Sequence, residues 1–211
     1  MGIRHVDGSD IAAIASIFMS AFPESMSHYY PGKPAPAKPF RDIYAFLAAA
    51  EHSNFLVYEE SGEVLGYIVV PRSMGLVWAK SILSGYLFLW AFNWITGRYH
   101  LSLPRALTIL QNKLLFAAHS FGRFPREHAQ VLSVAVAPKA QGRGIGRKLV
   151  QAGLDLLRSQ GVSAVKLEVR PENAPARRIY ASLGFEEVGV SYDSQGEWIV
   201  MTAHLADQER G

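Results

Sequence analysis

The sequence predicts an α/β protein in which helices cover both faces of a mixed sheet. The first observation is the stretch 131–161, VLSVAVAPKAQGRGIGRKLVQAGLDLLRSQG, in which an apolar strand leads through a glycine-rich turn into a helix. A further strand follows this helix, and a strand–helix–strand unit implies a parallel pair with a right-handed crossover. The second observation is a pair of hairpin patterns, turning at residues 61–62 and 194–196, which imply antiparallel neighbours. Parallel and antiparallel strands together give a mixed sheet.

The first part of the chain is predicted to hold a short strand, two helices and a hairpin. Ile11, Ile14, Ile17 and Phe18 recur with the spacing of one helix face. Residues 23–39 contain five prolines and no periodicity, which predicts a loop. The predicted strands are 3–6, 54–60 and 63–70, and the predicted helices are 10–22 and 40–52.

The last part of the chain is predicted to continue with strands, helices and a final hairpin. The strand 131–138 precedes the helix that starts on the glycine turn, and the strand 163–170 follows it. A helix over 172–184 ends at Gly184, and glycine commonly terminates helices. The final hairpin pairs 185–192 with 197–205.

Composition favours one folded domain spanning residues 1–211 and excludes several classes of protein. The chain is 49% hydrophobic and only 18% charged, which argues against disorder. It has no cysteine, so disulfides, thiolate nucleophiles and cysteine metal sites are excluded. A net charge of +3 does not mark a nucleic-acid binder. The N-terminus lacks a signal-peptide pattern, and we expect a cytoplasmic protein.

An apolar helical insertion interrupts the fold at about residues 72–130. Its first predicted helix, 76–96, has apolar residues on every side, Lys80 as its only charge, and three of the four tryptophans. The second predicted helix, 101–121, is more amphipathic. The first is nearly long enough to span a membrane, but one crossing would separate strands of the same sheet. We expect this hairpin to pack on the domain or in a homodimer. Alternatives are a wall of the substrate pocket or contact with a membrane surface without a span.

The glycine turn predicts a phosphate site. A turn with few side chains at a helix N-terminus exposes backbone N–H groups, and the helix dipole adds positive potential. Arg143, Arg147 and Lys148 add formal charge. A P-loop is excluded because Arg147 and Lys148 follow Gly146, where that motif needs Lys and then Ser or Thr. The G-x-G-x-G spacing also departs from the dinucleotide-binding fingerprint, and too little chain follows for that fold.

Two motifs resemble those of the GCN5-related N-acetyltransferase (GNAT) superfamily. The turn QGRGIG, residues 141–146, is similar to the superfamily's acetyl-CoA pyrophosphate motif, and LEVRPENAPARRIYASLGF, residues 167–185, is similar to its next motif. The pattern especially resembles the ribosomal-protein alanine N-acetyltransferase branch, with an L-E-V-R strand and a tyrosine twelve positions after the glutamate. Residues 131–185 carry the resemblance closely. The rest shares the order of elements, except for the insertion.

The resemblance implies the GNAT fold, with acetyl-CoA as co-substrate and direct attack by a primary amine. It implies that Tyr180 acts on the leaving thiolate and Glu168 accepts the amine proton. Proton acceptance by a carboxylate suits this chemistry, because an amine must be neutral to attack. The resemblance also implies that an N–H of the strand before the turn stabilises the oxyanion. The implied cofactor-binding residues are Val134, Ala135, Val136, Gln141, Gly142, Arg143, Gly144, Ile145, Gly146, Arg147 and Asn173.

Simpler interpretations stay open for several of these residues. Tyr180 at helical spacing is also typical of a core aromatic, Glu168 of a solvated strand position, and Asn173 of a helix N-terminus. At the level of function, the alternatives are a non-catalytic acyl-CoA-binding module, or a transferase for a longer acyl chain or an apolar acceptor. The acceptor amine, on a small molecule or a peptide, is not specified. The histidines show no metal-ligand spacing and no metal is expected; His119 and His128 are the two to test near the acceptor.

Overall fold

The computed structural model describes residues 2–100 and 129–205, and within them it contains two four-stranded sheets and seven α-helices. The α/β class is as predicted. The strands are β1 (Gly2–His5), β2 (Phe55–Glu60), β3 (Glu63–Val69), β4 (Ala129–Gln130), β5 (Ser133–Val136), β6 (Ala164–Val169), β7 (Glu186–Asp193) and β8 (Gly196–His204). The helices are α1 (Ile11–Ala21), α2 (Pro23–Tyr29), α3 (Ala37–Ala50), α4 (Met74–Leu83), α5 (Tyr86–Ile95), α6 (Ile145–Ser159) and α7 (Ala174–Ala181).

The first sheet has the order β1-β2-β3-β5, with every neighbour antiparallel. Adjacent residues of β3 show which helices cover which face, because successive side chains of a strand point to opposite sides. Tyr67 contacts Tyr44 of α3, with ring centroids 5.2 Å apart. A Cβ added to Gly66 would lie 3.0 Å from Leu149 Cδ1 of α6. The sheet is therefore covered by α3 on one face and by α6 on the other.

The second sheet has the order β4-β6-β8-β7, and its β4–β6 pair is parallel. Residues 129–136 belong to both sheets. The Val131 N–H donates to Lys166 O at 2.8 Å, whereas the next N–H, that of Leu132, donates to Val69 O at 2.9 Å. The predictions of one continuous strand over 131–138 and of a single mixed sheet were therefore wrong in detail. A period-two pattern shows which face of a strand is buried. It does not show that the chain pairs with one strand before Leu132 and with another strand after it.

The prediction of a loop over residues 23–39 was wrong for its first seven and last three residues. Helix α2 starts at Pro23, which occupies the first helical turn, where a missing N–H costs nothing and the fixed φ suits a helix. Proline at this position starts a helix as readily as it ends one. Helix α3 starts at Ala37, three residues earlier than predicted, with Pro36 as its N-cap residue.

The apolar segment predicted as one helix over 76–96 forms two. Helices α4 and α5 are separated at Ser84 and Gly85, where Gly85 has a φ of 77°, and the two helices are bent by 68°. Among the described residues, no single helix is both long and apolar enough to cross a membrane, although the bent pair meets the length and composition criteria together. The second predicted helix, 101–121, lies outside the described residues, as do His119 and His128.

Candidate active site

A wedge opens between β5 and β6, because the chain leaves β6 after Val131. The Ala137 N–H donates to Leu65 O of the β3 side at 2.8 Å. In an antiparallel pair, residues alternate between bonding the partner and pointing their backbone groups away from it. From this register Ser133 and Ala135 bond β3, while the backbone groups of Val134 and Val136 point away from β3. None of the described strands pairs with that edge of β5. Backbone N–H and C=O groups therefore face the wedge.

The glycine turn follows β5 directly and leaves the start of α6 open. Gly142 and Gly144 both have a φ of 75°, in the left-handed region that favours glycine. No atom lies within 4 Å of a Cβ built on either residue. Ile145 is buried and anchors the first turn of the 15-residue helix in the core. The Gln141 side chain donates to Val136 O at 3.1 Å, which ties the turn to β5 and occupies one of the carbonyls facing the wedge.

The cationic side chains around the turn have different partners. Arg143 is paired with Glu60, at 2.6 Å between Nη2 and Oε2. Arg147 donates to the hydroxyl of Ser182, just beyond α7. A hydroxyl leaves the charge of Arg147 uncompensated, whereas a carboxylate neutralises that of Arg143. Lys148 Nζ lies 5.8 Å from the centre of the Tyr58 ring. Of these three cations, only Arg143 is neutralised by a carboxylate among the described residues.

Helix α7, which carries Tyr180, packs against the first turn of α6. A Cβ added to Gly146 would lie 3.7 Å from Val136 Cγ2 and 4.0 Å from Ile179 Cδ1, so β5, α6 and α7 meet here. The Tyr180 ring is buried against Phe185, with centroids 5.8 Å apart. Burial raises the pKa of Tyr180 to about 12, so its hydroxyl is protonated at neutral pH. The described residues provide that hydroxyl with no hydrogen-bond partner, and it is available as a donor.

Glu168 lies in β6, opposite Val200 of β8, and is half-buried. Lys166 is two residues earlier on the same face and is buried. Burial lowers the pKa of the Lys166 ammonium, and the charge of Glu168 opposes that shift. The glutamate is therefore beside a desolvated cation rather than on a purely solvated face.

Asn173 has the contact expected of a helix N-terminal residue. It is the N-cap of α7, and its side-chain oxygen accepts a hydrogen bond from the Ala176 N–H at 3.2 Å. This contact fixes the start of the helix that carries Tyr180.

Sequence analysis missed a buried hydroxyl cluster at the start of β5. The Tyr44 and Tyr67 hydroxyls are 2.6 Å apart, and the Tyr67 hydroxyl is 2.9 Å from Ser133 Oγ. Burial raises the pKa of both tyrosines. Ser133 precedes Val134, so the cluster fixes the strand just where it opens toward the wedge. The three residues come from α3, β3 and β5, and no local pattern in the sequence connects them.

Sequence analysis also missed the docking of α2 on the turn between β7 and β8. Ser25 Oγ donates to Gln195 Oε1 at 2.7 Å, and the Gln195 amide donates to the Tyr29 hydroxyl at 3.1 Å. His28 Nε2 lies 3.0 Å from Ser194 Oγ. Because 23–39 was predicted to be a loop, nothing indicated a helix whose polar side meets a hairpin more than 160 residues away.

A splayed strand pair with a glycine turn at its mouth characterises this α/β fold, and comparison with known proteins identifies the family. Residues 11–185 match the family described as the acetyltransferase (GNAT) family, and the chain belongs to it. This confirms the predicted fold and the resemblance on which it was based.

Curated relatives match over shorter regions. A mycothiol acetyltransferase from Beutenbergia cavernae is 48% identical over 61 residues, covering 29% of this chain and 20% of the relative. The [ribosomal protein bS18]-alanine N-acetyltransferase of Salmonella typhimurium is 39% identical over 74 residues, covering 35% of this chain and 50% of the relative. The chain thus matches half or less of the length of these relatives.

Solved structures share the fold over nearly the whole chain. The crystal structure of SsHAT has a TM-score of 0.73 at 22% identity, covering 97% of this chain and 98% of that one. The structure of yncA from Salmonella typhimurium, solved with its cofactor acetyl-CoA, has a TM-score of 0.59 at 21% identity, covering 100% and 97%. At these identities the likeness shows a common fold.

Proposed function

We propose that the protein transfers an acetyl group from acetyl-CoA to a primary amine. The observation that carries this proposal is the edge of β5, where Val134 and Val136 turn backbone groups into the wedge directly before the open glycine turn. An extended pantetheine arm would pair with this edge like an added strand, and its pyrophosphate would meet the start of α6. The yncA structure, which holds acetyl-CoA in the same fold, supports this arrangement.

The residues of the turn have different roles in binding the cofactor. Gly142, Gly144 and Gly146 let backbone N–H groups approach the phosphates, and Ile145 anchors the turn. Arg147 is placed to add charge because its partner is a neutral hydroxyl. Arg143 would exchange Glu60 for a phosphate.

The remaining predicted residues have supporting roles in this proposal. Gln141 holds the turn on β5, and Asn173 fixes the start of α7. Ala135 bonds β3 and keeps the β5 edge in place for Val134 and Val136.

In the proposed reaction, the amine lone pair attacks the thioester carbonyl carbon. The oxyanion accepts a hydrogen bond from the β5 backbone, with the Val134 N–H in the position to donate. The C–S bond then breaks, and the Tyr180 hydroxyl gives its proton to the CoA thiolate. Glu168 accepts the proton that the amine loses, directly or through water. The chain has no cysteine, so no cysteine acyl-enzyme forms.

The role of Glu168 makes a prediction about pH dependence. Glu168→Gln should remove the rising acid limb of the pH–rate profile for kcat/KM, because the amide cannot accept a proton. Glu168→Asp keeps a carboxylate and serves as the matched control, which should retain a limb. A limb that stays in place in the glutamine variant would assign the base to another group.

We also propose that residues 1–211 form one acetyltransferase domain, with the helical insertion at about 72–130, acting in the cytoplasm. The acceptor is an amine on a small molecule or peptide. One relative is named for an alanine of a ribosomal protein, which makes peptide N-termini a good first class to screen.

The proposal is tested by measuring free thiol released from acetyl-CoA in the presence of an amine and peptide library. Thiol release should depend on a particular amine and be matched by an acetylated product in mass spectrometry. Acetyl-CoA binding with no release for any amine would indicate a binding module. Absence of acetyl-CoA binding would overturn the proposal altogether.

A further inference from the structure

Helices α4 and α5 expose an apolar surface that the transferase fold does not use. Among the described residues, nine large hydrophobic side chains on these two helices are exposed. The most exposed are Leu83 at 85%, Ile95 at 76% and Phe88 at 71%. Soluble monomers rarely expose a contiguous apolar area of this kind without a partner for it. We call this surface the α4–α5 face.

The opposite side of the same helices is packed on α3, which fixes their orientation. The rings of Tyr86 and Trp90 contact Phe46, with centroids 5.1 and 5.4 Å away. Lys80 pairs with Glu51 at 2.7 Å, and Asn93 is fully buried. The polar groups of this pair and the rings of Tyr86 and Trp90 are therefore directed toward the domain, and the exposed apolar side chains away from it.

The charge of this part of the chain has one sign. Between Glu63 and His100, where the first described part of the chain ends, the sequence contains no Asp or Glu but three Lys or Arg, which are Arg72, Lys80 and Arg98. The whole chain has 21 Lys and Arg against 18 Asp and Glu, so the remainder has no net charge. At the α4–α5 face itself, the Arg98 guanidinium lies 5.5 Å over the ring of Phe92. A partner for this face should therefore have an apolar interior and an anionic surface.

We propose that the α4–α5 face docks on an anionic phospholipid bilayer, lying in the interface without crossing it. An apolar helix face flanked by basic residues inserts into the headgroup region, and its charges are attracted by acidic lipids. Exposed Trp78, Phe88 and Phe92 suit this depth, where aromatic side chains concentrate. This inference does not depend on the proposed transferase activity.

The fold argues against a crossing. The chain leaves the first sheet at Val69 and returns at Ser133, and these two residues are paired in the sheet. A single span would separate them by the membrane. Each helix has ten residues, or about 15 Å, about half the hydrocarbon thickness, and the 68° bend prevents them from adding up to a straight span.

Charge also argues against a second copy as the occupant. A symmetric dimer brings the same patch of each chain together. Here that would bring together two copies of a helix pair that contains no Asp or Glu and adjoins Arg98, and like charges facing each other oppose association. An anionic lipid surface instead attracts the same charges.

The test is flotation of the full chain with vesicles of phosphatidylcholine alone or in equal mixture with phosphatidylglycerol. The protein should float with the anionic vesicles and much less with the neutral ones, and added salt should weaken binding. Phe88→Ser should lower the partition coefficient at least tenfold, because it removes a ring from the buried face. Arg98→Gln should lower it about fivefold, the effect of one basic residue near an anionic surface.

Tyr192→Ser is the matched control. Tyr192 is 65% exposed on β7, the edge strand of the second sheet, and its variant should bind vesicles like the unmodified chain. Circular dichroism and urea unfolding without lipid establish that each variant is folded, independently of the flotation result.

Three results would overturn the proposal. Equal flotation with neutral and anionic vesicles would remove the role of charge. Absence of flotation, together with a dimer in sedimentation that Phe88→Ser dissociates, would identify a second copy as the occupant. Absence of flotation with a monomer unaffected by Phe88→Ser would mean that the face is not a docking surface.

Discussion

Tyr180 combines burial with a hydroxyl that has no partner among the described residues. We predict that Tyr180→Phe lowers kcat about tenfold or more, while the Kd for acetyl-CoA stays within about twofold of the unmodified value. The lost hydrogen bond would form mainly with the developing thiolate, so its loss affects the transition state more than the bound ground state. Steady-state kinetics and calorimetry on the same preparations measure both quantities.

The matched control is Phe185→Leu, which changes the ring packed against Tyr180 and keeps its hydroxyl. If repacking alone lowers kcat, both variants should be affected similarly. A Tyr180→Phe variant with normal kcat, under conditions in which chemistry limits the rate, would show that the residue serves only in packing.

At the scale of single residues, the motifs predict positions, whereas the side-chain contacts made there could not be predicted from the sequence. Gln141 and Asn173 were predicted from their positions in the motifs, and both make hydrogen bonds that hold the backbone of the site. The pairing of Arg143 with Glu60 was not predictable, because Glu60 is at the end of β2, 83 residues away. Such contacts depend on which strands become neighbours.

The glycine turn allows a test of the anion site at the scale of one helix. Gly144 and Gly161 lie near opposite ends of α6, with φ values of 75° and 73° and no atom within 4 Å of an added Cβ. An aspartate costs similar backbone strain at either position. We predict that Gly144→Asp weakens acetyl-CoA binding at least tenfold, about 1.4 kcal/mol, because it adds negative charge where the phosphates would lie. Gly161→Asp should leave binding unchanged.

Calorimetric titration of acetyl-CoA into both variants gives the comparison. Equal loss in the two would attribute the effect to strain in α6. Unchanged affinity in a folded Gly144→Asp variant would mean that the phosphates bind elsewhere.

Gly66 is the glycine of the first sheet with the least space for a side chain, because β3 and β5 lie close together there. A Cβ there would lie 2.9 Å from Ala135 O and 3.0 Å from Leu149 Cδ1. We predict that Gly66→Ala lowers the free energy of unfolding by about 1–3 kcal/mol, since either β5 or α6 must shift. Gly189→Ala in β7 is the control, because no atom lies near its added Cβ. Urea unfolding measures both, and equal stability of the two variants would contradict the prediction.

Elements with strong local patterns were predicted well. The hairpin turn at Ser61 and Gly62 has φ values of 53° and 80°, as a tight two-residue turn requires. The break between α4 and α5 was missed because apolar residues continue through it, and periodicity alone does not place a bend. Helix α2 was missed because its proline was interpreted as a loop signal.

At the scale of the molecule, the wedge exists because one stretch of chain, 129–136, is shared by two sheets. The sequence predicted a strand there and a parallel partner for it, and both exist. It did not predict the exchange of partners between Val131 and Leu132. That exchange depends on how far β3 and β6 diverge, which is set by everything packed against them: α3 on one side, α6 on the other, and the hydroxyl cluster at Ser133.

Buried tyrosines in several parts of the fold make the free energy of unfolding depend on pH in the alkaline range. Burial raises the pKa of Tyr30 and of Tyr180 to about 12 in each case, and raises the pKa of Tyr44, Tyr67 and Tyr99 as well. An unfolded chain loses these protons near pH 10. The folded chain keeps them longer, so it binds more protons than the unfolded chain above that pH. Stability is therefore fully present below about pH 10 and is lost as the pH rises toward the folded pKa values.

We predict that the free energy of unfolding falls steeply between about pH 10 and 12, by up to about 1.4 kcal/mol per pH unit for each such tyrosine. Tyr180→Phe removes one titrating group without removing a hydrogen bond to a described residue. The free energy of unfolding of this variant should therefore fall with pH less steeply, by the contribution of one tyrosine. Urea unfolding curves recorded across this range give both slopes by linear extrapolation. Parallel curves for the two proteins would mean that Tyr180 ionises in the folded chain as it does in the unfolded one. Its hydroxyl would then be in contact with water, and burial would not be the reason for a raised pKa.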